Sequence, residues 1–189
     1  AAIEADLLAL RMRITGWSLP ADGVEGGLEE GLLGIYRRGR AGHRRAGRGK
    51  ADGLTLHRWR KHVKELRYAA EVLDLRTSPG KRAASSGRLA KLARRADELA
   101  ETLGEEHDLA VLEELVRADT GLRRRKGSRR ALLRAIARRR ARLRERALGE
   151  GERIYGLAPG RMARRIARAR ARARARAHTR ARARRLESV

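Results

Sequence analysis

The chain has 189 residues, enough for one domain of ordinary size or for one domain and a tail. It has no cysteine, which excludes disulfides, zinc fingers and cysteine nucleophiles, and no apolar run approaches the ~20 residues that span a bilayer. The chain has 48 lysines and arginines against 23 acids, which gives a net charge of +25. A protein with this charge is expected to bind anions. The excess of arginine over lysine favours phosphate as the anion.

The N-terminal part is predicted to contain two helices separated by a linker. Residues 1–17 have apolar side chains at helical spacing, and residues 18–30 are rich in glycine and acids, which is typical of a linker. Residues 31–48 resume the helical pattern. One side of that helix, within about 120°, carries candidate phosphate-binding residues: Tyr36, Arg37, Arg40, His43 and Arg44.

The next predicted helix, residues 55–75, carries the most informative pattern in the chain, with Thr55 as its expected N-cap. One side of this helix is apolar and is expected to face the core: Leu56, Trp59, Val63, Leu66, Ala70 and Leu73. The neighbouring side, about 120° wide, holds what we call the cationic stripe: His57, Arg60, Lys61, Lys64, Arg67 and Tyr68.

The second half is also predicted to be helical until its last part. A loop is expected over residues 76–87, then a long helix over 86–118 with a weak point at Gly104, and further helical pattern over 129–148. Residues 161–189 form an arginine-rich and alanine-rich tail, in which arginine and alanine alternate over residues 168–185, the Arg-Ala segment. Because no face of this segment is apolar, we expect a cationic tail that is disordered or is ordered only by a ligand.

These elements predict an all-α protein, an antiparallel bundle of four to five helices over residues 31–160. There is no phenylalanine and aromatic residues make up only 3% of the chain, so the core must be built mainly from leucine, alanine, valine and isoleucine. Such a core suits packed helices better than a β-sandwich or barrel.

Three segments resemble the CHAD family, the conserved-histidine α-helical domain. The cationic stripe resembles the family's signature helix, which runs His, Arg, Lys, Lys, Arg-Tyr. Residues 36–40, Tyr-Arg-Arg-Gly-Arg, resemble a basic segment one helix upstream, and residues 103–112 resemble the family's leucine-glycine and aspartate-leucine segment. The resemblance covers roughly residues 30–160 and implies one half of a domain made of two bundles, with residues 1–17 as the end of a missing first half.

The resemblance implies binding of inorganic polyphosphate without cleavage, and the residue types agree with it. A phosphate polymer has no bases to read, so its receptor needs cations and hydrogen-bond donors at intervals. The predicted site combines the cationic stripe with the five candidate residues of the preceding helix, and Asp108 is expected to support it by pairing with or orienting a basic residue. No cofactor and no metal ligand set is predicted.

Two other functions compete with this one. An enzyme acting on phosphate would need metal-binding carboxylates or a phosphohistidine site placed for in-line transfer. The sequence has no Glu-x-Glu-x-Lys metal motif, and residues 42–52 have neither the spacing nor the Ser or Thr of a phosphate loop, so we predict no enzyme. Sequence-independent binding of nucleic acid through the basic face and the Arg-Ala segment is the stronger alternative. The protein is expected in the cytoplasm with polyphosphate granules, and a homodimer that rebuilds a full site remains an open alternative.

Overall fold

The structure is a computed structural model that describes a large part of the chain, namely residues 6, 8–9, 11–12, 24–49, 52–77 and 87–187. The five residues described before residue 24 are all helical, as expected for the helix predicted over 1–17, whose other residues lie outside the described part. Most of the loop predicted over 76–87 also lies outside it.

The described residues from residue 24 onward form six helices and no strand, so the all-α prediction is confirmed. The helices are, in chain order, α1 (Val24–Ala46), α2 (Gly53–Thr77), α3 (Arg88–Ala118), α4 (Thr120–Arg124), α5 (Lys126–Tyr155) and α6 (Pro159–Glu187).

Four long helices form an antiparallel bundle, in which α2 packs between α1 and α3, and α5 packs against both α3 and α1. The directions follow from contacts in which residue numbers rise along one helix and fall along its neighbour. These contacts are Arg38 with Glu65 and Gly42 with Trp59 for α1 and α2, Arg60 with Ala100 and Arg67 with Asp97 for α2 and α3, Glu106 with Arg144 and Glu113 with Arg140 for α3 and α5, and Tyr36 with Ile154 and His43 with Leu148 for α1 and α5.

The core follows the apolar face that the sequence predicts for α2. All six residues of that face are buried, and Trp59 is fully enclosed. The first turns of α6 close the bundle, since Met162 and Ile166 are 8% and 3% exposed and join the same core.

Buried ion pairs hold α3 against α5. Glu106 is 1% exposed, and its carboxylate accepts hydrogen bonds from Arg140 Nε at 3.0 Å and from Arg144 Nε at 2.9 Å. Arg140 also pairs with Glu113, which is buried as well. Because a buried carboxylate without a partner is costly, these arginines stabilise the bundle and are not free to bind a ligand.

Several element boundaries differ from the prediction. Helix α1 begins at Val24, inside the linker predicted over 18–30. The N-cap of α2 is Asp52, whose Oδ1 accepts a hydrogen bond from the backbone N of Thr55 at 2.7 Å, so the prediction of Thr55 as the cap is wrong. Hydrogen bonds from the side chain and then the backbone of Thr55 lower the pKa of Asp52.

The second half is more continuously helical than predicted. Helix α3 passes through Gly104 without a break, because this glycine is buried against α2. Helix α5 runs from Lys126 to Tyr155, beyond both ends of the helical pattern predicted over 129–148. The Arg-Ala segment, expected to be disordered or ordered only by a ligand, is helical and lies in α6.

Candidate functional site

The outer side of the cationic stripe is accessible. Lys61 is exposed, Lys64 is half-buried, and Tyr68 is 50% exposed. Neither lysine forms an ion pair within 4.0 Å with any residue that the structure describes. The rise of an α-helix separates Lys61, Lys64 and Tyr68 by about 4.5 and 6 Å along the axis, so they present donors in an ordered row.

Arg60 lies on the side of the stripe that faces α3. Its guanidinium crosses α3 at Gly104, and its Nε donates a weak hydrogen bond to the carbonyl of Ala100 at 3.4 Å. A Cβ at Gly104 would lie 3.3 Å from Arg60 Nε and Nη2, so the glycine makes room for this arginine. The glycine that the sequence marks as a weak point of the helix therefore positions a residue of the stripe.

Arg67 is bound within the protein. Its Nε donates to Glu71 Oε1 at 2.9 Å, its Nη1 pairs with Asp97 of α3, and its guanidinium carbon lies 5.4 Å from the centre of the Tyr68 ring. The hydrogen bond to Glu71 raises the pKa of Arg67. Its half-exposed position leaves it able to contact an anion, but two carboxylates compete for it.

His57 stands at the other end of the stripe beside His107 of α3. The centres of the two rings are 5.0 Å apart, and His57 Nδ1 is buried without a hydrogen-bond partner in the described residues. The sequence did not assign His107 to the site. The signal was available, because His107 follows Gly104 by three residues and so lies on the side of α3 that faces α2.

The rim of α3 next to the stripe is acidic. Asp97, Glu101 and Asp108 lie within about 40° on α3, in the same sector as Gly104. Asp108 is exposed and forms no ion pair with a described residue, so the expected support through such a pair is absent from the described part. These acids make the α3 side of the stripe less favourable for an anion than the outer side of α2.

The candidate residues of α1 do not join the stripe. Three of them, Tyr36, Arg40 and His43, reach backbone carbonyls of α5 and of the residues just after it, and the His43 ring also lies 5.5 Å from that of Trp59 in α2. Tyr36 is fully buried and donates its hydroxyl to the carbonyl of Leu157 at 2.9 Å, Arg40 Nε donates to the carbonyl of Tyr155 at 3.0 Å, and His43 Nε2 lies 3.1 Å from the carbonyl of Leu148. These side chains satisfy backbone groups at and near the C-terminal end of α5.

The other two α1 residues are exposed but point away from the stripe. Arg38 and Gly42 mark the side of α1 that contacts α2, through Glu65 and Trp59. Arg37 and Arg44 lie about 100° or more around the α1 axis from that side. The structure therefore brings the six residues of the stripe together and separates them from all five candidates of α1.

No group of three or more His, Cys, Asp or Glu side chains in the described part of the chain is placed to hold a metal ion. No helix in the same part is both long and apolar enough to cross a membrane.

Comparison with known proteins adds one finding to this geometry. The CHAD domain model matches residues 3–117, a range that includes α1, α2, nearly all of α3 and the N-terminal segment that the sequence interpretation placed in a missing first half. No curated protein and no solved structure gives a significant match. Since the matched range covers more than half of the 189 residues and contains the cationic stripe, the chain belongs to the CHAD domain family.

Proposed function

We propose that the protein binds inorganic polyphosphate through the cationic stripe of α2 and does not cleave it. One observation carries this proposal: Lys61 and Lys64 stand free of ion pairs with described residues, in one row with Tyr68, on the accessible side of α2. CHAD domains are known in general to bind polyphosphate, which supports the choice of this anion over others.

The groups of the stripe match the chemistry of a phosphate chain. Lysine ammonium groups supply compact charges, Arg60 supplies a planar fork for two phosphate oxygens, and the Tyr68 hydroxyl donates a neutral hydrogen bond. A charge-assisted hydrogen bond contributes about 1.5–3 kcal/mol, so three or four contacts along the chain give substantial affinity. Because such binding releases counterions, the affinity should fall steeply as salt is added.

The five candidates of α1 are left out of the proposed site. Tyr36 has no accessible surface, Arg40 and His43 are engaged with carbonyls of α5, and Arg37 and Arg44 are on another side of the bundle. Asp108 is left out as well, because an exposed carboxylate without a partner in the described residues repels phosphate.

The proposal is tested by removing the two free lysines together. In the full chain, Lys61→Ala with Lys64→Ala should weaken binding of long-chain polyphosphate by about tenfold or more at fixed ionic strength, measured by titration calorimetry. The melting temperature should stay unchanged, since neither lysine lies in the core.

A matched control removes two charges elsewhere. Arg138 and Arg142 are both exposed on α5, one turn apart, and form no ion pair with described residues. The variant Arg138→Ala with Arg142→Ala should weaken binding by no more than about threefold, through the lower net charge. If the two double variants lose equal affinity for polyphosphate, binding depends on the net charge of the protein and not on the stripe.

Binding without cleavage is the second part of the proposal. Phosphoryl transfer depends on metal ions or a positioned nucleophile that takes or releases the phosphoryl group, whereas the stripe supplies cations, imidazole and a phenol that hold the anion in place. Release of orthophosphate from polyphosphate in the presence of Mg²⁺, above the rate in buffer, would contradict this part.

The proposal extends to where the protein is located in the cell and to its oligomeric state. We expect the protein in the cytoplasm, associated with polyphosphate granules, and fluorescence microscopy of a tagged chain would test this. A homodimer in which two chains share one polyphosphate is the alternative to a monomeric receptor. Analytical ultracentrifugation with and without polyphosphate separates them.

A further inference from the structure

Helix α6 begins inside the bundle and then leaves it. Its first turns pack through Met162 and Ile166, which belong to the core. Beyond Ala169, every side chain that the structure describes is exposed, and these are Ala171, Arg172, Ala175 and Thr179. The helix nevertheless continues to Glu187, so most of the Arg-Ala segment extends from the bundle as a helix.

The Arg-Ala segment carries positive charge on all sides. Its 18 residues contain nine arginines and no acid. At 100° per residue these arginines occupy positions around the whole circumference of the helix, with gaps of no more than about 60°. The segment is about 27 Å long, and it therefore presents one cation for about every 3 Å of its length.

A cationic rod of this kind fits a ligand that has phosphates on two opposite sides. An α-helix with side chains is about 10–12 Å across, and the major groove of B-form DNA is about 12 Å wide with a phosphate strand along each wall. B-DNA carries about one charge per 1.7 Å, so roughly 16 phosphates flank a segment of this length. A single phosphate chain would contact one side of the rod and leave the other arginines unpaired.

Two other polyanions fit less well. The major groove of A-form RNA is too deep and narrow to admit a helix. An anionic membrane surface is bound by helices with one apolar face, and arginines on all sides leave no such face. The alanines between the arginines allow close approach but have no hydrogen-bonding group with which to read bases.

We propose that the Arg-Ala segment of α6 binds duplex DNA in the major groove without sequence preference. This site uses none of the residues of the cationic stripe and stands independently of polyphosphate binding. Arginines four residues apart, such as Arg168 and Arg172, repel each other within the free helix. The phosphates of DNA remove that repulsion, so binding and helix stability reinforce each other.

The test uses the full chain with charges removed at helical spacing. The variant Arg172→Gln, Arg176→Gln, Arg180→Gln, Arg184→Gln keeps a residue of good helix propensity at each position. Its matched control is Arg130→Gln, Arg134→Gln, Arg138→Gln, Arg142→Gln on α5, where all four arginines are exposed and equally spaced. Binding of a labelled DNA duplex is measured by fluorescence anisotropy over a series of salt concentrations.

The α6 variant should bind duplex DNA at least tenfold more weakly than the unaltered chain, with a shallower salt dependence, while the α5 control loses less than threefold. Duplex RNA of the same length should bind the unaltered chain more weakly than DNA. Equal losses in the two variants would overturn the proposal, and so would equal affinity for the two duplexes.

Polyphosphate titrations separate this proposal from the one for α2. The α6 variant should lose much less affinity for polyphosphate than for DNA. An equal loss of both ligands would make the segment a general polyanion receptor and overturn the assignment to DNA. The DNA measurements keep their meaning even if the stripe proves not to bind polyphosphate, because the α6 substitutions do not alter α2.

Discussion

The contacts between α2 and α3 and those between α1 and α5, here called the α2–α3 seam and the α1–α5 seam, lie on opposite sides of the bundle. They contain similar residues, which are accessible at the first seam and engaged inside the protein at the second. At the α2–α3 seam, cations and a tyrosine at helical spacing face outward, and Lys61 and Lys64 have no ion-pair partner in the described residues. At the α1–α5 seam, Tyr36, Arg40 and His43 also follow helical spacing, but they face inward and bind backbone carbonyls. A helical wheel shows which side chains share a side, and only the neighbouring helix decides whether that side is a surface.

The difference arises from the glycines of α1 and α5. A Cβ at Gly39 of α1 would lie 2.6 Å from Tyr155 Cζ of α5, and one at Gly151 of α5 would lie 2.5 Å from His43 Cδ2 of α1. Only glycine, which has no Cβ, therefore fits at these two positions without a clash. The resulting close approach draws the polar side of α1 into the interior, where its donors meet the last turns of α5.

The largest expected effect separates two glycines of α5. Gly151→Ala should lower the free energy of unfolding by about 2 kcal/mol, because the new methyl group would clash with the rings of His43 and buried Trp59. Gly149→Ala should instead raise it by about 0.5–1 kcal/mol, because nothing lies within 4 Å of that Cβ position and alanine favours helix. Urea unfolding followed by circular dichroism measures both. The same sign in the two variants would contradict the close packing of α1 on α5.

A smaller effect is expected for Tyr36→Phe. The substitution removes the hydroxyl that donates to Leu157 at 2.9 Å and should cost about 1 kcal/mol of unfolding free energy. Polyphosphate affinity of the folded protein should stay within about twofold of the unaltered chain, because the hydroxyl is not accessible. A large loss of affinity with unchanged stability would mean that Tyr36 belongs to the binding site, and it would contradict the difference described between the two seams.

The same variant should change the response to alkaline pH. Burial raises the pKa of Tyr36 above its ordinary value of 10.0. Above about pH 10 this tyrosine loses its proton in the unfolded chain but keeps it in the folded one, so the free energy of unfolding falls as pH rises. Tyr36→Phe should lessen that fall without abolishing it, because burial also raises the pKa of Tyr155. Urea unfolding at about pH 9 and about pH 10.5 measures the difference.

The smallest effect concerns the acidic rim of α3. Asp97→Asn should strengthen polyphosphate binding by about two- to threefold, because it removes a negative charge beside the stripe and releases Arg67 from one partner. Glu145→Gln, which changes the net charge equally at an exposed site on α5, serves as the control. If the two variants bind alike, the anion does not lie next to the rim of α3.

The sequence predicted α2 well because both of its faces have a strong pattern. The apolar face from Leu56 to Leu73 is the one that the structure buries, and the stripe lies beside it. The prediction of which side chains are accessible failed where packing against another helix buries them. The burial of Tyr36 depends on α5, more than 100 residues away in sequence, and no local pattern in α1 reveals it.

The prediction of where helices begin and end failed for a different reason. Glycine and acid content led to a linker over residues 18–30, yet α1 begins at Val24, since propensity is weak compared with tertiary contacts. In α6 the absence of an apolar face beyond Ile166 led to the prediction of a tail that is disordered or ordered only by a ligand, whereas the structure has a helix that starts from the packed residues Met162 and Ile166. The core thus provides a first turn from which an arginine-rich helix extends.

The most direct test of the central claim is a lysine protection experiment on the unaltered chain. The protein is acetylated with and without polyphosphate, and the modification of each lysine is measured by mass spectrometry. We expect polyphosphate to protect Lys61 and Lys64 but not Lys126, which is exposed at the start of α5. The Arg-Ala segment contains no lysine, so binding there adds no protected lysine of its own. Equal protection of all three, or protection of Lys126 alone, would contradict a binding site on α2.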